Sequence, residues 1–263
     1  MQLDNVHNMI SKLSKNKISF IRSLERKKER TENNSFLAEG PKVVKDLLNT
    51  YHCNFIAATK EWLDENPNIS ADDVCCVSAE DLSRASLMKT PQQVLAVFRQ
   101  QIEPVDMDIP RQSICLALDG VQNPGNLGTI IRLADWFGIE HIFCSLDTVD
   151  IYNPKVVQAT MGAMAHVHAY YLSLVEFIKH FSNEVPVYGT LLEGQNIFHE
   201  KLTSNGIIVM GNEGKGISKE IEGLINHSLY IPNYPLGRAT TDSLNVAIAT
   251  AIVCAEFRRQ ISY

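Results

Sequence analysis

The chain has 263 residues, of which 45% are hydrophobic and 21% are charged, and its formal net charge is −6. This composition excludes a disordered chain and allows one large domain or two modest ones, each with an adequate core. The first ten residues are polar and no run of about eighteen apolar residues occurs, so we expect a cytoplasmic protein without a membrane segment. The six cysteines form no CxxC pair and have no histidine at zinc-ligand spacing, which predicts buried free thiols and no metal site.

Positive charge is concentrated at the start of the chain. Residues 1–30 contain eight lysines and arginines against three acidic residues, whereas the remainder is strongly acidic. A negative total argues weakly against an RNA partner, but a local basic excess is suited to binding phosphates. The alternative is a solvated helix face, and the segment alone does not distinguish the two.

The first hundred residues predict a small alternating α/β unit. A turn at Glu39–Pro41 precedes a short helix, because proline is tolerated in the first turn of a helix. The predicted strands are Asn54–Thr59, Val74–Ser78 and Val94–Arg99, and the predicted helices between them are Glu61–Asn66 and Glu80–Leu87. Residues 100–112 carry two prolines and three acids without periodicity, which predicts a linker between a domain at 1–99 and another at 113–263.

The second domain contains continuous apolar runs of strand length, separated by helical patterns. These runs are Ile114–Leu118, His141–Ser145, Val187–Leu192, Ile207–Met210 and Leu229–Ile231. Continuous rather than alternating apolarity is typical of strands covered on both faces, as in a parallel sheet flanked by helices. Ligand sites in such sheets lie beyond the carboxyl ends of the strands, and the unusual residues of this chain occur there.

A first polar cluster, residues 119–138 (DGVQNPGNLGTIIRLADWFG), follows the first of these strands. Residues 123–126 are typical of a turn, and Gly128 is predicted to open a helix. Arg132 stands among the apolar residues of that helix, so it needs an anionic partner. That partner is either a ligand or a neighbouring acid such as Asp135.

A second cluster, residues 210–218 (MGNEGKGIS), follows an apolar strand that ends in glycine. Gly211, Gly214 and Gly216 allow positive φ and a close approach of a ligand to the backbone. Asn212 and Glu213 place polar atoms at the strand end. An ordinary tight turn has the same composition, and the GxxGxG spacing is not the dinucleotide fingerprint.

A third cluster, residues 231–252, leads into an apolar helix of small residues that is suited to packing against another helix or a second subunit. Asp242 or Ser243 is the predicted N-cap of this helix. Asn245, in the predicted first turn, is a candidate site residue. The alternative is that it only satisfies free amides at the helix start.

In their order and spacing, the three clusters resemble the signature motifs of the SpoU (TrmH-like) RNA ribose methyltransferases of the SPOUT superfamily. The motifs are Asn123-Pro-x-Asn126-x-Gly128-x-x-x-Arg132, then Asn212-Glu213-x-x-Gly216, and then Ile231-Pro232 with Ser243-Leu244-Asn245-Val246. The resemblance covers roughly residues 114–259 and includes Thr160–Ala163. Phe36–Gly40 and Thr90–Phe98 resemble the substrate-binding domain, similar to ribosomal protein L30e, that many members carry.

The resemblance implies a fold, a cofactor and a partner. The fold is an α/β parallel sheet flanked by helices, with a C-terminal deep trefoil knot and a small N-terminal α/β L30e-like domain. The implied cofactor is S-adenosylmethionine and the implied substrate is structured RNA, ribosomal or transfer, bound by a homodimer without a metal. The implied catalytic residues are Arg132, Asn126, Glu213, Ser243 and Asn245. The implied cofactor-binding residues are Thr190, Leu191, Leu192, Gly211, Asn212, Gly216, Ile231, Pro232, Leu244 and Asn245. The residues expected to bind RNA are Arg26, Lys27, Lys28, Arg30 and Lys42.

The implied reaction explains these residue types. A sulfonium methyl group is already electrophilic, so the difficulty is the ribose 2′-hydroxyl, which must lose its proton and align with the methyl group. Arginine is always charged, so we expect Arg132 to bind the adjoining phosphate and stabilise charge on the 2′ oxygen, with Glu213 orienting it.

Two alternatives remain open. One is a noncatalytic RNA-binding protein, which the joint retention of Arg132, Glu213 and Asn245 disfavours. The other is a methyltransferase for a base or a small molecule, which the first and third motifs disfavour. Residues 233–242 separate the two halves of the third motif, and the sequence leaves open how this loop covers the cofactor.

Overall fold

The computed structural model of the protein describes residues 12–235, Arg238 and residues 243–262. Contacts divide the chain into two compact units. The first consists of the residues up to Ile102 together with Asp150–Ala165, and the second of Glu103–Val149 together with the residues from His166 onward. The boundary at Ile102 falls inside the predicted linker. The sequence predicts that residues 150–165 belong to the second domain, but they belong to the first unit. Val156 and Val157 of their helix are buried, and the helix contacts the sheet of the first unit.

The described residues form ten strands and eleven α-helices, with a short 3-10 turn at Ala163–Ala165. The helices are α1 (Lys15–Ser23), α2 (Lys27–Glu32), α3 (Pro41–Leu47), α4 (Lys60–Glu65), α5 (Ala79–Ala85), α6 (Ile109–Gln112), α7 (Pro124–Trp136), α8 (Pro154–Thr160), α9 (Leu174–Phe181), α10 (Lys219–Glu222) and α11 (Val246–Ser262). The strands are β1 (Ser35–Glu39), β2 (Cys53–Ala58), β3 (Val74–Cys76), β4 (Val94–Arg99), β5 (Ile114–Leu118), β6 (His141–Cys144), β7 (His168–Tyr171), β8 (Val187–Asn196), β9 (Gly206–Met210) and β10 (His227–Tyr230).

The first unit is built on a four-stranded sheet in the order β1-β4-β2-β3. Strand β4 is antiparallel to both β1 and β2, whereas β3 is parallel to β2. Helix α1 begins at a serine cap, because the Ser14 hydroxyl accepts a hydrogen bond from the Lys17 amide. Ile21 in this helix and Leu24 directly after it are fully buried in the core of this unit. Part of the basic segment at the start of the chain therefore contributes apolar side chains to the core of the first unit.

The second unit is built on a six-stranded sheet in the order β10-β8-β9-β5-β6-β7, and every neighbouring pair is parallel. Strands β5 and β9 are buried along their whole length, as their continuous apolar sequences predict. Helices α9 and α10 bury Phe177, Ile178 and Ile221 against the sheet, while α7 and α11 pack against each other. Because β5 pairs with β9, the loops that follow these two strands meet at one edge.

Candidate functional site

The loop after β5 and the start of α7 form one side of the site. The Asn123 Oδ1 accepts hydrogen bonds from the amides of Gly125, at 2.8 Å, and of Asn126, at 3.2 Å. Asn123 is thus the N-cap of α7, and Pro124 occupies the first helical position, which does not need an amide donor. The helix therefore begins at Pro124 rather than at the predicted Gly128.

Glu213 fixes this loop through three hydrogen bonds. Its Oε1 accepts from the Asn123 amide at 3.0 Å and from Asn126 Nδ2 at 2.9 Å, and its Oε2 accepts from the Gln122 amide at 3.3 Å. Partial burial raises the pKa of Glu213, but these donors together outweigh it and leave the pKa below its ordinary value. The carboxylate is therefore ionised and engaged by the loop. Glu213 was expected to orient Arg132, but its hydrogen-bond partners are Gln122, Asn123 and Asn126 instead.

Asn245 joins the same network from the start of α11. Its Nδ2 donates to Asn126 Oδ1 at 3.0 Å. Its Oδ1 accepts from the amides of Ala247, at 3.0 Å, and Ile248, at 3.3 Å, which makes it the N-cap of α11. Asn245 therefore caps α11 as the alternative predicted, but it does more than satisfy free amides, because the same side chain also contacts the first motif.

This cap corrects the predicted start of the last helix. Ser243 precedes the cap and lines the site, while Asp242 lies outside the described residues. Asparagine is as effective an N-cap as aspartate or serine, so composition alone did not select among the three.

Asn212 shapes the glycine-rich loop after β9. Its backbone pairs in both directions with Gly216 at 2.9 Å, and its Oδ1 accepts from the amides of Gly214 and Lys215 at 2.9 and 3.0 Å. Its Nδ2 donates to the Gly120 carbonyl at 2.6 Å, so one side chain ties this loop to the loop after β5. A loop held in this way is pre-formed for a ligand.

Two glycines in this loop meet definite backbone requirements. Gly216 has a φ of +70°, which favours glycine, and a Cβ on Gly211 would overlap the backbone of Gly216 and Ile217. At the end of the loop, the Ser218 amide donates to Asp119 Oδ2 at 2.7 Å. Asp119 lines neither cleft but holds the end of this loop, a role that the sequence did not predict although the residue directly follows a buried strand.

Two adjoining clefts lie at this edge of the sheet. The first, of about 330 Å³, is lined by Thr190, Leu191, Leu192, Met210, Gly211, Asn212, Glu213, Gly214, Lys215, Gly216, Ile217, Leu229, Tyr230, Ile231, Ser243, Leu244, Val246 and Ala249. The second, of about 640 Å³, is lined by Gln122, Asn123, Pro124, Asn126, Glu213, Ser243, Leu244, Asn245 and Val246. Glu213, Ser243, Leu244 and Val246 line both clefts, so the two spaces share a wall.

The predicted cofactor residues distribute unevenly between these clefts. All of them except Asn245 and Pro232 line the first cleft. Asn245 lines the second, and Pro232 lines neither. Sequence reasoning missed Tyr230 and Ala249 in the first cleft. Tyr230 directly precedes the third motif, and Ala249 lies one helical turn beyond Asn245. Both positions can therefore be predicted once the motif is assigned to its strand and its helix.

Comparison with known proteins identifies the family. Residues 113–255 match the model of the SpoU rRNA Methylase family, and residues 15–96 match the MRM3-like substrate binding domain. The chain belongs to the SpoU rRNA Methylase family. This SpoU family chain combines the methylase region with a preceding region that matches a substrate-binding domain.

Several full-length relatives resemble this SpoU family member. The 23S rRNA (guanosine(2553)-2'-O)-methyltransferase RlmP of Bacillus subtilis is 31% identical over 245 residues, which cover 92% of this chain and 96% of the relative. A solved TrmH family structure from Porphyromonas gingivalis is 41% identical with a TM-score of 0.86, covering 95% of this chain and 100% of that one. The AdoMet-bound rRNA methyltransferase structure from Sinorhizobium meliloti is 30% identical with a TM-score of 0.82, covering 96% and 97%.

Arg132 of this SpoU family chain is exposed rather than embedded. The apolar residues Ile130, Ile131 and Ala134 of α7 are buried, and Arg132 lies on the exposed side of the helix. Asp135 instead contacts His166, with Oδ1 3.1 Å from Nδ1, so the alternative in which Asp135 is the partner of Arg132 is wrong. Across the described ranges, the Arg132 side chain forms no hydrogen bond or ion pair, and it lines neither cleft.

The residues expected to bind RNA fall into two classes. Arg30 is only 1% exposed and pairs with Asp150, so its assignment as an RNA-binding residue is wrong. The other four side chains are exposed. Their acidic partners are Glu29 for Arg26, Glu32 for Lys28 and Asp46 for Lys42, which also donates to the Met161 carbonyl, and Lys27 has none within the described residues.

The six cysteines are free, and all but the half-buried Cys75 are buried, as the sequence predicts. Among the residues that the structure describes, no group of three or more histidine, cysteine, aspartate or glutamate side chains is placed to hold a metal ion. In the same residues, no helix combines the length and apolarity needed to cross a membrane.

Proposed function

We propose that the protein transfers the methyl group of S-adenosylmethionine to a ribose 2′-hydroxyl of ribosomal RNA. The observation that carries this proposal is the shared wall between the two clefts, because a methyl donor and an acceptor must lie side by side. The comparisons support it, since the Bacillus relative is named as a 23S rRNA 2'-O-methyltransferase and the Sinorhizobium structure is AdoMet-bound.

The first cleft fits the cofactor. It combines strand-end backbone at Thr190–Leu192 with the glycine-rich loop, whose lack of side chains exposes amides and carbonyls to a ligand. Leu229 and Ile231 add apolar surface. When bound, S-adenosylmethionine supplies an electrophilic methyl group, and we propose that these residues hold it with that group directed toward the second cleft.

The second cleft fits the nucleotide that receives the methyl group. Asn126 lies between Glu213 and Asn245 with its amide fixed at both ends, so it presents a pre-oriented polar surface to the ribose. Glu213 orders the loop rather than removing the proton, because its carboxylate already accepts three hydrogen bonds from that loop, and the lowered pKa makes it a weaker base. Arg132 lies on the exposed side of α7 and lines neither cleft, so we propose that it supplies the positive charge for the adjoining phosphate and the developing oxyanion once RNA is bound.

We further propose a homodimer formed through α7 and α11. Trp136 on α7 and Ile248 on α11 are 84% and 54% exposed, although the two helices pack against each other. Large apolar side chains exposed on adjacent helices are typical of an interface.

Light scattering tests the proposed dimer and should give twice the chain mass for the wild type and the single-chain mass for Ile248→Glu. The control Ile102→Glu, at an exposed site outside these helices, should remain dimeric, and a monomeric wild type would contradict the proposal.

The remaining family features are also proposals. We propose that the C-terminal part of the second unit forms a trefoil knot and that the first unit is L30e-like. The pairing of β10 with β8 rather than with β9, and the match of residues 15–96 to a substrate-binding domain, support them. A cytoplasmic location is supported by the relatives that act on bacterial 23S rRNA.

Methylation mapping tests the proposed function. Ribosomal RNA from cells that lack the gene is incubated with the purified protein and S-adenosylmethionine, and ribose methylation is mapped at nucleotide resolution. We expect one new 2′-O-methylated position that is present in wild-type cells, and no such position in the incubation without cofactor. A methylated base, or no transfer to any RNA, would overturn the proposal.

A further inference from the structure

The buried Arg30 and the half-buried Asp150 form an ion pair within the first unit. The guanidinium of Arg30 donates to Asp150 Oδ2 from Nε at 3.0 Å and from Nη2 at 2.6 Å. Its Nη1 donates to the carbonyls of Leu24, at 3.0 Å, and Glu25, at 2.8 Å, at the end of α1. Buried ion pairs contribute little net stability compared with apolar side chains of the same size, so stability alone is a weak explanation for this one.

Asp150 occupies a particular place along the chain. It is the first residue of the segment that belongs to the first unit, and the preceding residue, Val149, is the last of its segment in the second unit. The Val149 amide donates to the Val121 carbonyl at 2.9 Å, and the Val149 carbonyl accepts from the Tyr171 hydroxyl at 2.6 Å. The ion pair therefore restrains Asp150. The neighbouring residue, Val149, is hydrogen-bonded through its amide to Val121 in the loop after β5.

Val121 leads directly into the catalytic network. The next two amides, of Gln122 and Asn123, are the ones that donate to Glu213, and Asn123 caps α7. We infer that Arg30 is a positioning residue, which acts through Asp150 and Val149 to hold residues 121–126 in register with Glu213. This inference rests on the proposed function, because it concerns the geometry of the same site.

The expected consequence is a loss of rate rather than of cofactor binding. The path from Arg30 through Asp150, Val149 and Val121 reaches the loop that lines the second cleft, and none of these four residues or of residues 122–126 lines the first. A displacement of about 1 Å in a catalytic group is able to cost about a hundredfold in rate. Weakening the ion pair should therefore slow methyl transfer and leave the affinity for S-adenosylmethionine unchanged.

The test compares Asp150→Asn with Val44→Ala in the full-length protein. Val44 is fully buried in the first unit and has no place in this path, so it controls for a general loss of stability. With ribosomal RNA from cells that lack the gene, we expect Asp150→Asn to lower the single-turnover rate about tenfold or more, with cofactor affinity within about twofold of wild type. Val44→Ala should keep the wild-type rate at the same temperature below its Tm.

A second variant covers the case in which Asp150→Asn does not fold. The double variant Arg30→Met with Asp150→Leu replaces the pair by apolar side chains, an exchange that often preserves stability. It should fold and still transfer methyl groups about tenfold more slowly or worse. Wild-type rates in whichever of these variants folds would overturn the inference.

Hydrogen exchange separates this inference from the proposed function. Without any RNA, Asp150→Asn or the double variant should lose protection at the Val149 amide and across residues 121–126, whereas Val44→Ala should not. If the wild type methylates no RNA, the proposed function fails, and the exchange data still decide whether Arg30 positions the loop. Unchanged protection in the ion-pair variants would overturn it.

Discussion

Arg132 is an exposed arginine on a helix that begins at the site. Because the described residues provide it with no acidic partner, Arg132→Ala should leave the Tm and the affinity for S-adenosylmethionine near wild type. Loss of one pre-organised charge contact should lower the single-turnover rate by about 10²–10³. Arg132→Lys should recover only part of the rate, because a point charge does not reproduce the planar, forked donors of a guanidinium.

Arg258 is the matched control for that experiment. Its guanidinium donates to the carbonyls of Phe137 and Gly138, at 2.6 and 2.9 Å, so it ties α11 to the end of α7. Arg258→Ala should lower the Tm while sparing turnover in the molecules that remain folded. If Arg132→Ala also lowered the Tm and spared turnover, Arg132 would be a structural residue and the proposed catalytic role would be wrong.

Glu213 is predicted to act as an acceptor of hydrogen bonds and not as a base. Its pKa is lowered on folding, so its stabilising contribution is complete above the ordinary carboxyl pKa and is lost only as the pH falls through the lower folded value. Glu213→Gln keeps one oxygen for Asn123 and Asn126 and should retain most of the rate. Glu213→Ala leaves all three donors without their acceptor and should lose about a hundredfold.

Rates of the two variants at neutral pH distinguish the two roles of Glu213. An ordering role predicts that Glu213→Gln is much faster than Glu213→Ala, because glutamine keeps an oxygen that accepts hydrogen bonds. A general base would instead make the Gln and Ala variants equally inactive, because neither side chain accepts a proton.

At the residue level, the sequence predicted identities better than partners. The motifs placed Asn126, Glu213 and Asn245 at strand or helix ends, and the structure joins them in one network. Arg30 shows the limit. The sequence of a basic run does not indicate which of its residues is buried. In addition, Asp150, the acid that pairs with Arg30, lies 120 positions further along the chain.

Among the elements, the glycine-rich loop after β9 offers a sharp comparison between two glycines. A Cβ on Gly211 would overlap backbone atoms, whereas the nearest atom to a Cβ on Gly214 is Asn212 Oδ1, at 3.7 Å. Gly211→Ala should therefore displace the loop and weaken S-adenosylmethionine binding by tenfold or more, and Gly214→Ala should bind within about twofold of wild type. Calorimetry on both proteins checks this, and equal affinities would show that the loop does not shape the cofactor site.

The elements that the sequence missed have physical reasons. Strand β1 is wholly buried but begins with Ser35 and ends with Glu39, so its apolar run is too short to stand out. Strand β7 lies at the edge of the sheet beside β6 and is only partly buried, so it lacks the continuous apolarity of the central strands. The central strands β5 and β9 were predicted because two covered faces demand apolar residues at every position.

At the scale of the whole molecule, connectivity was the least predictable property. Hydrophobic patterns report whether a residue is buried and not which core buries it, so nothing in the sequence assigns residues 150–165 to the first unit. The same holds for strand order. Placement of β9 between β5 and β8 follows from how the chain crosses over, which periodicity does not encode.

The basic start of the chain is the remaining candidate for RNA recognition, and the structure changes how it must be tested. Deleting residues 1–30 would remove Ile21 and Leu24 from the core of the first unit and Arg30 from its ion pair, so the truncated protein would be expected to lose this unit. Substitution of exposed side chains avoids that problem. Lys27 and Lys28 in α2 are both exposed, so their replacement should leave the core intact.

The double variant Lys27→Gln with Lys28→Gln should bind ribosomal RNA more weakly and with a shallower salt dependence, because fewer counterions are released. If both lysines contact phosphates, the slope of log K against log salt should fall in magnitude by up to about 1.4, taking about 0.7 per contact with single-stranded RNA. Cofactor affinity and Tm should not change. The matched control, Lys179→Gln with Lys201→Gln, removes the same charge from exposed sites of the second unit and should keep the wild-type slope. Equal slopes for the two double variants would mean that α2 contributes only to the net charge, and that the first unit recognises RNA through other residues.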